Sequence, residues 1–230
     1  MPTVMITGVN RGLGLEFLKQ YAAHGWRVIG TCRNLDNAAE ASAIADTNDS
    51  VDLYPLEVGD ASAIDALAAQ LKGTAIDLLV LNAGVLGADT ASLGSLGQEA
   101  FDKVMSINTV TPALMIQAFR SHVAASDRKA IVAMSSILGS IAGNVDGGLY
   151  SYRASKAGLN AVLRSAAVDL KPDGSVVLAM HPGWVKTDMG GPGAMIDAQE
   201  SISGMIKVID SLEASDSGTF RTYDGGELPW

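Results

Sequence analysis

The sequence predicts a single-domain α/β protein in which about seven mostly parallel strands form a doubly wound sheet with helices on both faces. Three observations lead to this fold class. Short apolar runs alternate with longer Ala- and Leu-rich stretches along all 230 residues, as in repeated strand–helix units. Several of the runs, such as residues 76–81, are almost continuously apolar, which is typical of parallel strands covered on both faces. Because no Pro- or Ser-rich linker divides the chain, we expect one domain over residues 1–230.

Each predicted strand leads into a predicted helix. The strands are runs of β-branched, aromatic or other apolar residues, and they are expected at 3–7, 26–31, 51–56, 76–81, 130–134, 176–180 and 218–222. The helices are rich in Ala, Leu, Gln and Lys, and they are expected at 13–24, 38–45, 62–71, 98–125, 151–170 and 197–212. Right-handed strand–helix–strand crossovers then place the carboxyl ends of the strands at one edge of the sheet.

Composition excludes several classes of function. Charged residues make up 18% of the chain and its mean hydropathy is +0.23, which argues against charge-driven disorder. A net charge of −9 and a pI near 4.7 make a broad nucleic-acid-binding surface improbable. No apolar run is long enough to cross a membrane, and one cysteine excludes an internal disulfide framework and a Cys-rich zinc site. With no basic leader at the start, we expect a cytoplasmic protein without nucleic-acid or membrane partners.

A glycine-rich turn, T-G-V-N-R-G-L-G, joins the first predicted strand to the first helix. Such a turn brings the backbone close to a pyrophosphate, which the positive N-terminal end of the helix then attracts. The turn therefore predicts a Rossmann-like dinucleotide site that includes Thr7, Gly8, Asn10, Arg11, Gly12, Leu13 and Gly14. The alternative is a tight turn that binds no ligand.

The end of the second strand indicates which dinucleotide binds. An acidic residue there would bind a ribose 2′-hydroxyl and repel a 2′-phosphate, but this chain has Thr31, Cys32 and Arg33. Together with Arg11, Arg33 supplies charge-assisted donors that suit a phosphate, so we expect NADP(H) in preference to NAD(H). In the alternative interpretation, Arg33 only begins a solvated helix.

The next two strand ends face the same predicted crevice. Glu57 and Val58 follow the third strand and are expected near the adenine. The fourth strand ends in an Asn-Ala-Gly sequence expected near the ribose, which adds Asn82, Ala83 and Gly84 to the predicted cofactor residues. Asn82 is also a common type of turn residue after a strand, and that alternative stays open.

Tyr152 and Lys156 form the candidate catalytic pair. They lie one helical turn apart, and an ammonium beside a phenol favours the phenolate and lowers its pKa towards the range useful for proton transfer. Ser136 ends a buried strand and is suited to orient a substrate oxygen, whereas strand alternation turns Ser135 to the other side. Asn108, in the predicted helix 98–125, is expected to anchor a water beside Lys156. In the alternative interpretation, Tyr152 and Lys156 are a pair on a helix face without a chemical role, and Asn108 is a polar residue that the helix tolerates.

These motifs, taken in order, resemble those of the short-chain dehydrogenase/reductase family, and in detail its C-factor-like carbonyl reductase branch. The motifs are the glycine loop, Asn82-Ala83-Gly84, Asn108, Ser136, Tyr152-x-x-x-Lys156 and Pro182-Gly183-Trp184-Val185-x-Thr187. The resemblance implies that Tyr152 donates a proton, that Lys156 lowers the pKa of Tyr152 and binds the nicotinamide ribose, and that Ser136 orients the carbonyl. It also implies that Asn108 holds a relay water, and it adds Pro182, Gly183, Val185 and Thr187 to the cofactor contacts.

The function that this resemblance implies is NADPH-dependent reduction of aldehydes or ketones, with a small carbonyl or alcohol as substrate and a homodimer or homotetramer as the assembly. The alternative is a dinucleotide-binding signalling protein of the C-factor type with incidental catalysis. The sequence departs from the family pattern at Glu57, where an aspartate is usual. An insertion around 143–148 is expected to shape the substrate mouth, beside a short glycine-rich lid around 187–200 and with Trp184 as a possible wall.

Overall fold

The computed structural model describes residues 1–87 and 93–230 of the chain. Its strands form one parallel sheet in the order β3-β2-β1-β4-β5-β6-β7. The strands are β1 (Thr3–Thr7), β2 (Arg27–Cys32), β3 (Val51–Pro55), β4 (Leu78–Leu81), β5 (Ala130–Met134), β6 (Val176–His181) and β7 (Thr219–Thr222). The predicted fold class is confirmed, and the sheet is entirely parallel over these strands.

Helices cover both faces of the sheet. They are α1 (Gly12–Ala23), α2 (Ala39–Ala45), α3 (Ala61–Gln70), α4 (Gln98–Met105), α5 (Thr111–Ala124), α6 (Tyr150–Asp169) and α7 (Ala198–Asp210). One core layer lies between the sheet and α1, α2 and α7, where Phe17 and Met205 are buried. The second layer lies between the sheet and α3, α5 and α6, where Phe119 and Leu159 are buried. Burial on both faces explains why the central strands are continuously apolar.

The predicted helix 98–125 is interrupted. A π-helical turn, Ser106–Val110, separates α4 from α5. Pro112 lies at the start of α5 and has no N–H to donate to the carbonyl four residues earlier, so the regular hydrogen-bond ladder cannot pass through this point. The widened turn holds Asn108 with its side chain buried. This local distortion places a candidate site residue where a regular helix would not.

The sheet topology positions the candidate site. β1 and β4 are neighbours, and the chain leaves them towards opposite sides of the sheet. The carboxyl ends of these strands therefore flank a crevice at the point where the strand order reverses, which is where such sheets bind ligands. Over the described ranges, no helix has the length and apolar character needed to cross a membrane.

Candidate active site

A cleft of about 570 Å³ opens at the carboxyl edge of the sheet. It contains most of the residues that the sequence predicts to bind a dinucleotide. These are Gly8, Asn10, Arg11, Gly12, Leu13, Gly14, Arg33, Glu57, Val58, Asn82, Ala83, Gly84, Tyr152, Lys156, Pro182 and Thr187. Loops after β1, β2, β3, β4 and β6 are thus brought to one place, and α6 closes the cleft with Tyr152 and Lys156.

Three predicted cofactor residues lie beside the cleft and do not line it. The Thr7 hydroxyl accepts hydrogen bonds from the backbone N–H groups of Asn82 and Ala83, both at 3.0 Å, and so joins the ends of β1 and β4. Val185 is buried and forms a β-bridge with Ile196. Gly183 has a left-handed φ of 84° and packs closely against Tyr223. For Thr7, Gly183 and Val185, direct contact with a cofactor stays a prediction.

The glycine loop has the shape that a phosphate cradle requires. Gly8 and Gly12 have φ values of 77° and 58°, which glycine adopts without strain. A Cβ at Gly14 would overlap the carbonyl oxygen of Gly8, so only glycine allows α1 to begin here. The first turn of α1 carries no acidic residue, which leaves its positive end available to an anion.

Asn82 holds the glycine loop in place. Its amide nitrogen donates to the carbonyl oxygens of Thr7 at 2.8 Å and Gly8 at 3.2 Å. Both N–H groups of this side chain are therefore engaged by the loop. Asn82 is a structural support of the cleft as well as part of its lining, which reconciles the two interpretations of this residue.

Two exposed ion pairs border the cleft where the chain leaves β1 and β2. The Arg11 guanidinium pairs with Asp188, and Arg33 Nε lies 3.9 Å from Glu57 Oε2. The Arg11 and Arg33 side chains are 70% and 80% exposed. Exposed pairs of this kind contribute little to stability, so an incoming anion can replace either carboxylate at small energetic cost.

Of the sequence-predicted catalytic residues, Tyr152 and Lys156 line the cleft. Ser136 does not line it, whereas its neighbour Ser135 does. Ser136, Tyr152 and Lys156 are all at least nine-tenths buried. Lys156 Nζ donates to the carbonyl oxygen of Met134 at 2.6 Å and lies 5.7 Å from the centroid of the Tyr152 ring. A phenol and an ammonium thus border the same cleft, which is an arrangement suited to proton transfer.

Burial governs the acidity of this cluster. It lowers the pKa of Lys156 from 10.5 to about 8, so the side chain is still mostly protonated at neutral pH. It raises the pKa of Tyr152 above its ordinary value, and the hydrogen bond from Ser136 opposes this rise. The expected lowering of the Tyr152 pKa by Lys156 is therefore not seen in this structure, since the phenolate is disfavoured most strongly by its loss of solvent.

Asn108 ties the loop after β4 to α6. Its side-chain oxygen accepts from the Val85 N–H at 2.9 Å, and its nitrogen donates to the Val85 carbonyl at 2.8 Å and to Ser155 Oγ at 3.0 Å. Because both N–H groups bond to protein, the side chain has no donor left for a water. The expected relay-water role of Asn108 stays a prediction.

Several cleft residues were not predicted individually from the sequence. They come directly after strands or beside predicted contacts: Cys32, Asn34, Asn37, Leu56, Val85, Ile107, Met134, Ser135, Lys186, Asp188, Met189 and Ala198. Of these, Asp188, Met189 and Ala198 fall within the predicted lid, and Ser135 was weighed against Ser136. For Lys186 and Asp188 the signal was their position on either side of Thr187. For the rest, the direction of the side chain depends on loop geometry that no local pattern specifies.

The insertion around 143–148 does not line this cleft. Its residues Asn144, Gly147 and Gly148 border a separate hollow of about 320 Å³ next to Tyr150 and Arg153 of α6. Trp184 is also directed elsewhere, since its indole nitrogen donates to the Gly190 carbonyl at 2.8 Å. The expectation that the insertion and Trp184 form the substrate mouth is not supported, whereas Met189 of the lid does line the cleft.

Metal-assisted chemistry has no candidate centre in the part of the chain that the structure describes. No group of three or more His, Cys, Asp and Glu side chains is close enough there to hold a metal ion.

Comparison with known proteins agrees with this geometry. The chain matches the short chain dehydrogenase family over residues 2–194. It is 42% identical to the C-signal protein of Myxococcus xanthus over 155 residues, which cover 67% of this chain and 93% of that protein. The carbonyl reductase Sniffer of D. melanogaster superposes with a TM-score of 0.94 at 35% identity, covering 100% of both chains. An NADPH-bound carbonyl reductase from chicken fatty liver superposes with a TM-score of 0.94 at 34% identity, covering 100% of this chain and 99% of that one. The chain belongs to the short-chain dehydrogenase/reductase family and is of the C-factor and carbonyl reductase type.

Proposed function

We propose that the protein reduces aldehyde or ketone carbonyls with NADPH, and that Tyr152 is the proton donor. The observation that carries this proposal is the buried pair of Tyr152 and Lys156 in the cleft that the glycine loop borders. A dinucleotide sensor without catalysis would have no need to bury an ammonium beside a phenol, because that burial is energetically unfavourable. The alternative of a signalling protein with incidental catalysis is for this reason less well supported.

The residues of the cleft fit NADP(H). The glycine loop and the N-terminal end of α1 suit the pyrophosphate, and Arg11 and Arg33 suit the 2′-phosphate. The bound NADPH of the chicken liver protein supports the same cofactor here. We expect NADP(H) to be preferred over NAD(H) because the exposed arginines can bind a 2′-phosphate. No acidic residue follows β2 directly to repel that phosphate.

The chain's own residues would divide the work as follows. When bound, NADPH supplies the hydride that reduces the carbonyl carbon. Ser136 orients the carbonyl oxygen next to the Tyr152 phenol, which donates its proton to that oxygen. Lys156 remains protonated at neutral pH and stabilises the phenolate left behind. Ser136 and Tyr152 are both buried, so their placement does not depend on the entry of substrate.

The lining also favours one class of substrate. Apolar side chains of Val85, Met134 and Met189 border the same cleft as Tyr152, and Ile137 is half-exposed directly after Ser136. An uncharged carbonyl compound with an apolar substituent fits this apolar part of the lining.

A substrate screen tests the proposal. NADPH and NADH oxidation would be followed at 340 nm (the ordinary absorbance band of the reduced nicotinamide) with aldehydes, ketones and keto acids of increasing apolar size. We expect turnover of the uncharged compounds with NADPH in preference to NADH. A chain that binds NADPH tightly and reduces no member of the panel would contradict the proposal and favour the signalling alternative.

A further inference from the structure

Ser136 lies on a tight turn whose own hydrogen bonds are local. Its hydroxyl accepts from the Leu138 N–H at 3.2 Å, and its carbonyl accepts from the Gly139 N–H at 2.7 Å. These bonds shape the 3₁₀ turn Ile137–Gly139. They do not fix where the turn sits against α6, the helix that carries Tyr152. A separate set of contacts must therefore set the separation of Ser136 and Tyr152.

Asn160 makes those contacts from the same face of α6. It follows Lys156 by one helical turn and Tyr152 by two. Its side-chain oxygen accepts from Ser135 Oγ at 2.6 Å, and its nitrogen donates to the Gly139 carbonyl at 3.3 Å. The amide thus binds the residue just before Ser136 and the last residue of the turn.

The hydrogen bonds of Asn160 to Ser135 and Gly139 are buried, which makes them hard to replace. Asn160 and Ser135 are only 4% and 3% exposed, so water cannot readily substitute for either partner. The turn also lies directly on α6, since a Cβ at Gly139 would come within 2.9 Å of the Lys156 backbone. Any loosening of the turn would therefore move Ser136 relative to both Tyr152 and Lys156.

We propose that Asn160, acting through Ser135 and Gly139, is a positioning residue that sets the place of Ser136 against Tyr152. This inference rests on the proposed function, in which Ser136 orients the carbonyl. The competing explanation is a buried polar pair that contributes to folding and has no separate effect on the reaction. The two explanations differ in whether the effect of Asn160 depends on Ser136.

The test compares Asn160→Leu in the natural chain with Asn160→Leu in a Ser136→Ala background, using single-turnover reduction at saturating NADPH. With Ser136 present, we expect about a 10-fold loss of rate, because a small misplacement of a positioning group is costly. Without Ser136, the same substitution is expected to change the rate by less than about 2-fold. Ser135→Ala removes one partner only and gives a milder variant if Asn160→Leu folds poorly.

Ser126→Ala is the matched control. Its hydroxyl is buried at the opposite end of β5, where it donates to the Val123 carbonyl at 2.8 Å and accepts from the Lys129 N–H at 3.1 Å. Like Ser135→Ala, the Ser126→Ala variant loses a buried serine hydroxyl. We expect it to have a lower melting temperature and an unchanged rate of reduction. Equal rate losses for Asn160→Leu in both backgrounds would overturn the proposal, as would a rate loss in Ser126→Ala equal to that in Ser135→Ala.

A second readout needs no turnover and separates this inference from the proposed function. The Tyr152 phenol would be titrated by ultraviolet difference absorbance against a Tyr152→Phe reference. The Ser136 hydrogen bond lowers the pKa of Tyr152, so its loss in Asn160→Leu should raise that pKa towards the value in Ser136→Ala. Lys156 is the charged group beside the ring and is present in every variant compared. An unchanged Tyr152 pKa in Asn160→Leu would reject the positioning role even if no substrate had been found.

Discussion

The two ends of the cleft are built in opposite ways. At the catalytic end, Tyr152 and Lys156 are buried, and the Lys156 ammonium has a fixed hydrogen-bond acceptor on β5. At the other end, Arg11 and Arg33 extend into solvent and pair with carboxylates that are also exposed. The difference shows that the fold buries its proposed catalytic groups and leaves the cations of its proposed phosphate site exposed to solvent.

The physical consequence is a difference in sensitivity. In a desolvated cluster, each group interacts strongly with its neighbours, and removal of one group has a large effect. Exposed charges are screened by salt and solvent, and removal of one has a moderate effect. Substitutions at the two ends should therefore differ in size and in their dependence on ionic strength.

The largest effect is expected for Tyr152→Phe. Removal of the phenolic hydroxyl takes away the proposed proton donor, so kcat should fall by roughly 10²- to 10⁴-fold. NADPH affinity should stay within about 2-fold, because the ring and Lys156 remain in place. Steady-state kinetics and NADPH fluorescence titration would measure the two quantities.

Tyr150→Phe is the control for that experiment. Tyr150 begins the same helix and borders the separate hollow outside the cleft. Its variant should keep normal kcat, and near-normal turnover by Tyr152→Phe would remove Tyr152 from the mechanism.

Lys156→Met should lower kcat and raise the free energy of unfolding. Lowering the Lys156 pKa from 10.5 to about 8 corresponds to about 3 kcal/mol of unfavourable burial at pH 7, and loss of the bond to Met134 offsets about 1–2 kcal/mol of this. We expect kcat to fall by at least about 10²-fold and the free energy of unfolding at pH 7 to rise by about 1–2 kcal/mol.

The pH dependence gives the sign of the Lys156 effect. Because the folded-state pKa is the lower one, the burial penalty is complete below about pH 8 and disappears as the pH rises towards 10.5. The stability advantage of Lys156→Met should shrink between these values in urea unfolding. A variant that is less stable than the natural chain at pH 7 would show that the ammonium is not penalised by burial.

The sequence was most informative where one local pattern decides the structure. Continuous apolar runs predicted the strands, and helical spacing placed Tyr152 and Lys156 on one face. The π turn at Asn108 was not predicted, although Pro112 carried a signal for it. Val185 matched a cofactor motif, and nothing in the sequence indicated its burial or its β-bridge to Ile196.

The acidity of the site could not be predicted from spacing. A lysine one turn from a tyrosine suggests a lowered pKa for the phenol, but the outcome depends on how deeply both groups are buried. That depth comes from the packing of the loop after β5 against α6, which joins residues distant in sequence such as Ser135 and Asn160. Because these residues are distant in sequence, the hydrogen bonds of Asn160 to Ser135 and Gly139 could not be predicted from the sequence.

Arg33→Asp should produce an intermediate effect at the exposed end. A carboxylate beside the proposed 2′-phosphate repels it, so the KM for NADPH should rise about 10-fold or more while the KM for NADH changes little. Arg120 is an exposed residue of α5 outside the cleft, and Arg120→Asp makes the same change of charge. This control should alter neither the KM for NADPH nor the KM for NADH. An unchanged NADPH-to-NADH preference in Arg33→Asp would exclude Arg33 from phosphate recognition.

The smallest expected effect is that of salt on the natural chain. Raising NaCl from about 0.05 to about 0.5 M shortens the Debye length from roughly 14 to roughly 4 Å, which weakens attraction between exposed cations and a phosphate. The KM for NADPH should therefore rise several-fold, whereas kcat should change by less than about 2-fold because the Tyr152 and Lys156 groups are shielded from ions by burial. Arg33→Asp should reduce the slope of KM against salt, since one of the two screened cations is gone. Equal salt dependence of kcat and KM would mean that the two ends of the cleft are not electrostatically distinct.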